Sequence, residues 1–374
     1  MRRRTPLQKY RSKILKKKVV VGMSGGVDSS AAALLLKEAG YEVLGATMLF
    51  WKDPWSLGAA GDKCGGEDAA ADAEAVCRVL DIPHHVFDFR EAFKERVVSY
   101  FTEEYLRGRT PNPCVVCNRH VKWDALLREA DSLGADYVAT GHYARIDRLE
   151  NGRWTVMNSV TARKDQTYAL FNLTQEQLSR TLMPVGSFEK DQVREMARRA
   201  GLPVADKAES MEICFIPDND YASFLDRQAE GRVPGPGRFL WKDGQDLGPH
   251  RGITHYTIGQ RKGLGVAMGR PVFVKEILPE TDTVVLGDHE DVFRTDLTCS
   301  GLNMMGLECL PEGEEISCTG KVRYAHAGQE CRIRMEGGDR VRAVFESPVR
   351  AVTPGQAAVF YDREGHVLLG GFIN

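Results

Sequence analysis

The chain has 374 residues, 43% of them hydrophobic and 27% charged, with a net charge of −2 and nine cysteines. This length suits two or three domains with sizeable cores. No apolar run approaches the ~20 residues that cross a bilayer, no signal-peptide pattern opens the chain, and nine cysteines over this length do not make a disulfide framework. We therefore expect no membrane partner and an intracellular, reducing compartment, the cytoplasm.

The first 18 residues hold nine Lys/Arg and no acid. This stretch, residues 1–16 as a basic tail, reads either as a solvated tail or as an arm that touches nucleic-acid phosphates. A mitochondrial presequence is a third reading, weakened by few serines and by direct entry into the first strand. Lys16 to Val21 is basic and then apolar, and reads as that buried strand. Ala31 to Gly40 reads as a helix closed by glycine.

Between strand and helix stands Ser24-Gly25-Gly26-Val27-Asp28-Ser29-Ser30. A glycine-rich strand-to-helix turn is a phosphate site: Gly25 and Gly26 let the backbone come close, and the helix start attracts anions. Ser24, Ser29 and Ser30 add hydroxyls. The Walker A lysine is absent, so the loop is of another kind.

Further along, Val43–Phe50, His85–Phe89 and Tyr137–His142 read as strands, and Asp68–Leu80 as a helix. Alternating β and α implies a parallel sheet wrapped by helices, with ligands at the carboxyl ends of the strands. The phosphate loop, Met48 and Gly141-His142 all fall at such ends and belong to one expected pocket. After about residue 216 turn dipeptides such as Pro234-Gly235 crowd in, and short strand-like runs follow at 272–274, 283–286, 315–318, 331–334, 341–345 and 357–360. The expected division is a catalytic domain over 17–216, a small linking β domain over 217–290 and a C-terminal β barrel over 291–374.

Residues 110–118 read Thr-Pro-Asn-Pro-Cys-Val-Val-Cys-Asn. Asn112 is placed to cap a helix that begins at Pro113. Cys114 and Cys117 are then i and i+3 on one face, where the helix start favours thiolate, so both thiols are expected to be more acidic than free cysteine. Cys214, in Ser210-Met211-Glu212-Ile213-Cys214-Phe215-Ile216, is a third candidate. A Cys-x-x-Cys alone fits a redox pair, half a zinc site or part of an iron–sulfur site. Cys64, Cys77, Cys299, Cys309, Cys318 and Cys331 read as ordinary core or surface residues.

The phosphate loop resembles that of the ATP-pyrophosphatase (PP-loop) superfamily. Together with the cysteines it makes the chain similar to the tRNA-specific 2-thiouridylases of the bacterial and organellar type. The resemblance runs through Gly22–Ser30, Gly108–Pro113, Ala139–Tyr143, Lys164–Tyr168, Ile213–Ile216, Thr257–Gly265 and Val352–Gln356. It implies an α/β fold: an N-terminal parallel-sheet, adenine-nucleotide α-hydrolase-like domain, then a small β domain and a C-terminal β barrel.

It also implies a chemistry. ATP with Mg2+ adenylates the C2 oxygen of a wobble uridine, and a persulfide sulfur replaces that oxygen as AMP leaves. Cys117 is then the nucleophile facing the base, and Cys214 carries the persulfide. Gly22, Met23, Ser24, Gly25, Gly26, Val27, Asp28, Ser29 and Ser30 hold the phosphates, with Met48 and Gly141 against the adenosine. Asn112, Pro113 and Cys114 surround the target base, and His142, Lys164, Asp165, Gln166, Arg323, Tyr324 and Gln356 match tRNA contacts. The implied partners are tRNA and a persulfide donor such as a cysteine desulfurase or a sulfur-relay protein.

In the better-known members an aspartate stands where this chain has Cys114. An acid–base role for that aspartate does not carry over, and a thiol is a softer metal ligand. Two readings stay open: Cys114, Cys117 and Cys214 as ligands of an iron–sulfur cluster, or a metal-free site in which Cys117 and Cys214 form a disulfide after transfer. Two other function classes also stand. One is a PP-loop amidotransferase or ligase with a small-molecule acceptor, which needs no Cys117/Cys214 pair. The other is a non-enzymatic nucleic-acid-binding protein.

Overall fold

A computed structural model of the protein describes residues 17–52, 66–208, 213–216, 220–229 and 231–374. The basic tail 1–16, Cys64 and Ser210-Met211-Glu212 lie outside the described residues. The chain forms two compact units. The first holds Met1–Val97, Cys114–Asn219 and Glu364–Val367; the second holds Val98–Pro113, Asp220–Arg363 and Leu368–Asn374. No helix among the described residues is long and apolar enough to cross a membrane.

The first unit opens with β1 (Lys18–Gly22), α1 (Val27–Ala39), β2 (Glu42–Leu49), α2 (Glu67–Val79) and β3 (His84–Asp88); α1 starts four residues before its expected run, inside the glycine-rich loop motif, and the others lie within two residues of theirs. Pro113–Cys117 forms α3, which continues through a π-helical turn at Asn118–Trp123 into α4 (Asp124–Ser132). Then come β4 (Tyr137–Ala139), a hairpin of β5 (Arg145–Arg148) and β6 (Trp154–Met157), β7 (Thr181–Leu182) and α5 (Lys190–Arg199). The sheet order is β3-β2-β1-β4-β7, all parallel. Val19, Val20 and Val21 in β1 are fully buried, as expected of a strand paired on both edges and covered on both faces. On α1, Ala31, Ala32, Ala33, Leu35 and Leu36 pack into the same core as Val193 and Ala197 of α5.

Three further features depart from the sequence reading. β4 ends at Ala139 rather than running on to His142. The β5–β6 hairpin and the two-residue β7 carry too short and too polar a pattern to register as strands.

In the second unit the helix Ser99–Leu106 meets α6 (Tyr221–Gln228) through Phe101–Phe224 and Tyr105–Tyr221, with ring centroids 6.1 and 5.2 Å apart. A four-stranded sheet follows, from β8 (Arg238–Trp241), β9 (Asp246–Pro249), β10 (Phe273–Leu278) and β11 (Thr283–Gly287) in the order β10-β11-β8-β9. It has its own core around Phe239, Trp241, Val274 and Leu286.

The last six strands are β12 (Phe293–Asn303), β13 (Ile316–Lys321), β14 (Gln329–Met335), β15 (Arg340–Arg350), β16 (Ala357–Tyr361) and β17 (Val367–Ile373). They close into a barrel in the order β12-β15-β14-β13-β16-β17. β14 alternates buried Cys331 and Ile333 with exposed Glu330, Arg332 and Arg334, the signature of a half-buried strand. Cys77, Cys299, Cys318 and Cys331 are buried free thiols and Cys309 is exposed. Cys318 and Cys331 face each other across β13 and β14 with their sulfurs 3.6 Å apart.

Candidate active site

In the first unit the winding of the chain reverses between β1 and β4. Chain leaving β1 passes to β2 and β3 on one side, while β4 and β7 extend the sheet on the other. Parallel sheets bind ligands outside the carboxyl ends of the strands at such a switch point. The Ser24–Ser30 loop leaves the end of β1 there, and Gly141 follows β4.

The two are in direct backbone contact. A Cβ on Gly141 would stand 2.4 Å from Ser29 N and 2.5 Å from Asp28 C, so the chain beyond β4 lies on the first turn of α1. This contact accounts for the early end of β4.

Gly26 caps α1 without a side-chain bond to the helix start. The hydroxyls of Ser29 and Ser30 donate to Gly26 O at 3.1 and 2.8 Å, and Ser24 N donates to Ser29 Oγ at 3.2 Å. Ser29 and Ser30 thus shape the loop from inside, while Ser24 is exposed. Gly25 has φ +65°, and a Cβ there would meet Ala69 O of α2 at 2.6 Å. Its constraint is therefore helix packing as well as phosphate approach.

Gly141→Ala should lower stability by roughly 1–3 kcal/mol through overpacking against immovable backbone. Gly26→Ala, whose Cβ meets nothing nearer than Ser24 Oγ at 3.4 Å, should cost well under that. Denaturant unfolding of the two variants measures the difference.

Asp28 accepts from Tyr143 Oη at 2.7 Å and from Lys190 Nζ at 2.7 and 2.8 Å. Lys190 is the first residue of α5, an unfavourable place for a cation by the helix dipole. The mismatch is the signal that sequence reading passed over, and Asp28 offsets it. A second lysine, Lys207, donates to Gly25 O at 3.1 Å. Met48 is buried at the end of β2, with its methyl 3.4 Å from the place of a Cβ on Gly22, and so belongs to the sheet packing. Met23 is buried, and Thr47 Oγ1 donates to its carbonyl at 3.1 Å.

Pro113 opens α3 as expected. Cys117 is buried, Cys114 exposed and Cys214 intermediate, all three as free thiols. Phe215, beside Cys214, is clamped by Trp51 at 6.3 Å and Phe93 at 5.5 Å, which fixes the Cys214 segment. Cys214 lies near enough to Cys114 and Cys117 to act on both electrostatically.

The expected acidity is not found. Burial pushes the Cys117 thiol up to about 12, partly opposed by the Lys122 ammonium and reinforced by the two other thiols. Cys114 at the surface is shifted in the same direction, by desolvation of the sulfur first and by Cys214 second, with Lys122 again opposing. The reason is plain: α3 has five residues with Cys117 at its end, too little dipole to outweigh desolvation. Among the described residues no three His, Cys, Asp or Glu side chains group closely enough to hold a metal ion. The three cysteines do not fit as ligands of a cluster in this arrangement.

His142 Nδ1 lies 2.8 Å from Thr140 Oγ1, and its ring packs 5.4 Å from Trp123, whose indole N–H donates to Thr181. Burial, with Lys122 nearby, lowers His142 to about 3. It is neutral near pH 7. An unfolded histidine takes a proton near pH 6.5 that folded His142 refuses until about 3. Stability should therefore fall as pH drops through that window. His142→Asn should flatten, without abolishing, the fall in Tm between pH 6.5 and 4, because five other histidines are also lowered.

Asp165 accepts from Ser159 N at 2.7 Å and from Thr167 N at 3.2 Å. Gln166 Oε1 accepts from Tyr143 N at 2.8 Å. Asp165 braces its own loop, Gln166 ties that loop to the chain after β4, and Lys164 beside them is partly exposed.

Among the other sequence-predicted residues, Asn112, Pro113, Arg323, Tyr324 and Gln356 lie in the second unit. Gln356 Nε2 donates to Thr110 O at 2.9 Å and to Pro111 O at 3.2 Å, and Thr110 N donates to Pro354 O. The turn at 353–356 thereby holds the loop that carries Asn112 and Pro113. Arg323 Nη1 donates to Arg350 O at 2.7 Å, and Tyr324 beside it is 48% exposed.

Known proteins match along nearly the whole chain. Residues 17–218 match the family described as tRNA methyl transferase HUP domain, 222–288 the tRNA methyl transferase PRC-barrel domain, and 295–373 the aminomethyltransferase beta-barrel domain. The chain is 53% identical to the tRNA-specific 2-thiouridylase MnmA of Lachnoclostridium phytofermentans, over 95% of this chain and 98% of that one. It is 50% identical to the protein of the same name from Clostridium perfringens, over 96% and 98%. The figure is again 50% for that from Carboxydothermus hydrogenoformans, over 95% and 97%.

Proposed function

The chain belongs to the tRNA-specific 2-thiouridylase family, and on that premise we propose that it is an ATP-dependent sulfurtransferase that converts the wobble uridine of tRNA to 2-thiouridine. The observation that carries this reading is half-identity over 95% or more of the chain to proteins named for that activity. The first unit agrees with it chemically: a phosphate loop at the switch point, with no side-chain cap on its helix, and two thiols that sense each other's charge. A methyl transfer, which the domain descriptions mention, has no use for such a pair, and neither has a ligase with a small-molecule acceptor.

The nucleotide we propose is ATP with Mg2+. The loop fits a polyphosphate, because the helix start has no side-chain cap and lysine ammonium groups stand at Asp28 and Gly25. The uracil O2 attacks the α-phosphorus and pyrophosphate leaves, so that C2 carries AMP in place of a very poor leaving group. Cys214 carries the persulfide. The Cys117 thiolate attacks the Cys214 sulfur, forming a Cys117–Cys214 disulfide and expelling HS⁻. HS⁻ adds at C2 and displaces AMP, and its proton moves to N3. Two thiols supply the two electrons that reduce the sulfane sulfur, and an external thiol reduces the disulfide again.

No step passes through a cluster. The base-side roles of Asn112, Pro113 and Cys114, the adenosine contacts of Met48 and Gly141, and the tRNA contacts of His142, Lys164, Asp165, Gln166, Arg323, Tyr324 and Gln356 belong to the same proposal. So do a cytoplasmic setting, a cysteine desulfurase or sulfur-relay donor, and the module division 17–216, 217–290 and 291–374.

Cys117→Ser and Cys214→Ser should each abolish 2-thiouridine in digested tRNA while tRNA-dependent pyrophosphate release persists, since a hydroxyl carries no persulfide. Cys114→Asp should keep most thiolation. Iron and sulfide analysis of anaerobically purified protein accompanies the assay. Parallel loss of iron, sulfide and thiolation in Cys114→Asp would replace the metal-free route with a cluster.

A further inference from the structure

The loop lacks an internal lysine, yet two lysines reach it from other parts of the first unit, and they are not equivalent. The Lys190 side chain is 12% exposed, bonds both oxygens of Asp28 at 2.7 and 2.8 Å, and lies 5.6 Å from the Tyr143 ring centroid. Asp28 needs that charge, so Lys190 is committed where it is. Lys207 is held differently. Its ammonium donates to Gly25 O at 3.1 Å, inside the phosphate loop itself. Its other partner is Asp72 of α2, in an ion pair whose side chains are 43% and 41% exposed. An exposed pair of this kind is screened by water and contributes little. Lys207 therefore stands at the loop with a charge that a stronger anion can take from Asp72 at small cost. Multiply charged phosphate oxygens are such an anion, and charge-assisted bonds to them outmatch a screened carboxylate.

We propose that Lys207 is a direct ligand of the ATP polyphosphate, kept at the loop by the Gly25 carbonyl and released from Asp72 when the nucleotide binds. It supplies from a distant part of the chain the cation that this loop lacks. The proposal rests on the reading of the loop as an ATP site.

Calorimetric titration of the full chain with ATP and with adenosine, in Mg2+ and without tRNA, tests it alongside the Tm of each nucleotide-free protein. Lys207→Gln should weaken ATP about tenfold or more, with adenosine affinity and nucleotide-free Tm unchanged, and Lys207→Arg should restore most of the ATP affinity. Asp72→Asn removes the competing carboxylate but not the lysine, and ATP should bind as tightly as in the wild type or more tightly. ATP affinity unchanged in Lys207→Gln overturns the proposal. Weakening by Asp72→Asn equal to that by Lys207→Gln also overturns it, because the ion pair would then be a strut and not a reservoir. A wild-type protein that binds no ATP removes the ATP reading itself, which is a separate and recognisable failure.

Discussion

The site depends on one steric constraint, the contact between Gly141 and the Asp28–Ser29 backbone. With 2.4 Å between a would-be Cβ and Ser29 N, no other residue fits without moving either the end of β4 or the start of α1. That seam joins the two halves of the sheet at the point where its winding reverses. It fixes the direction of the phosphate loop and carries Tyr143 to the Asp28 carboxylate. Gln166 then holds Tyr143 from behind by its backbone N–H. A chain of short contacts thus runs from β4 through Asp28 to Lys190, and the loop inherits its shape from a packing requirement before any ligand is present.

The charge pattern of the site follows from burial. His142 is held neutral and Cys117 is held as a thiol. Lys122 acts on both, and Lys190 and Lys207 stand at the loop, paired with Asp28 and Asp72. Positive charge there favours a polyanion, while burial, only partly opposed by Lys122, disfavours a resting thiolate at Cys117. Ionisation of Cys117 then calls for added positive charge or for removal of its proton by a group brought in with the substrate. The short α3 helix contributes little, which is why reasoning from helix position alone pointed the wrong way.

Much of the fold was legible because its elements carry strong periodicity. Val19–Val21 between basic and glycine-rich flanks, the alanine-rich α1, and the alternation in β14 each admit one reading. The site motifs were legible for the same local reasons: Gly25, Gly26 and Pro113 mark backbone geometry in the sequence itself. What escaped notice is non-local. Lys190 and Lys207 reach the loop across 162 and 182 residues of sequence; the misplaced charge of Lys190 at a helix start says that it needs a partner but not which one, and nothing beside Lys207 marks it at all. The β5–β6 hairpin and β12 are polar strands whose order comes from pairing, which no single-strand pattern reveals.

The residues matched to tRNA contacts divide by how their side chains are used within the protein. Asp165, Gln166, Arg323 and Gln356 bond backbone groups of their own unit, so they fix the course of loops. Tyr324 turns nearly half its surface to solvent, and Lys164 is partly exposed. A side chain already committed to backbone offers RNA the shape of a loop; an exposed ring or ammonium offers stacking or charge. Replacing one of the first kind disturbs a loop before it disturbs a contact, and the loss then spreads to neighbours such as Tyr143 or the Thr110–Pro113 segment. The same short motif therefore holds residues whose substitution acts by different physical routes, and adjacency in sequence is no guide to which route applies.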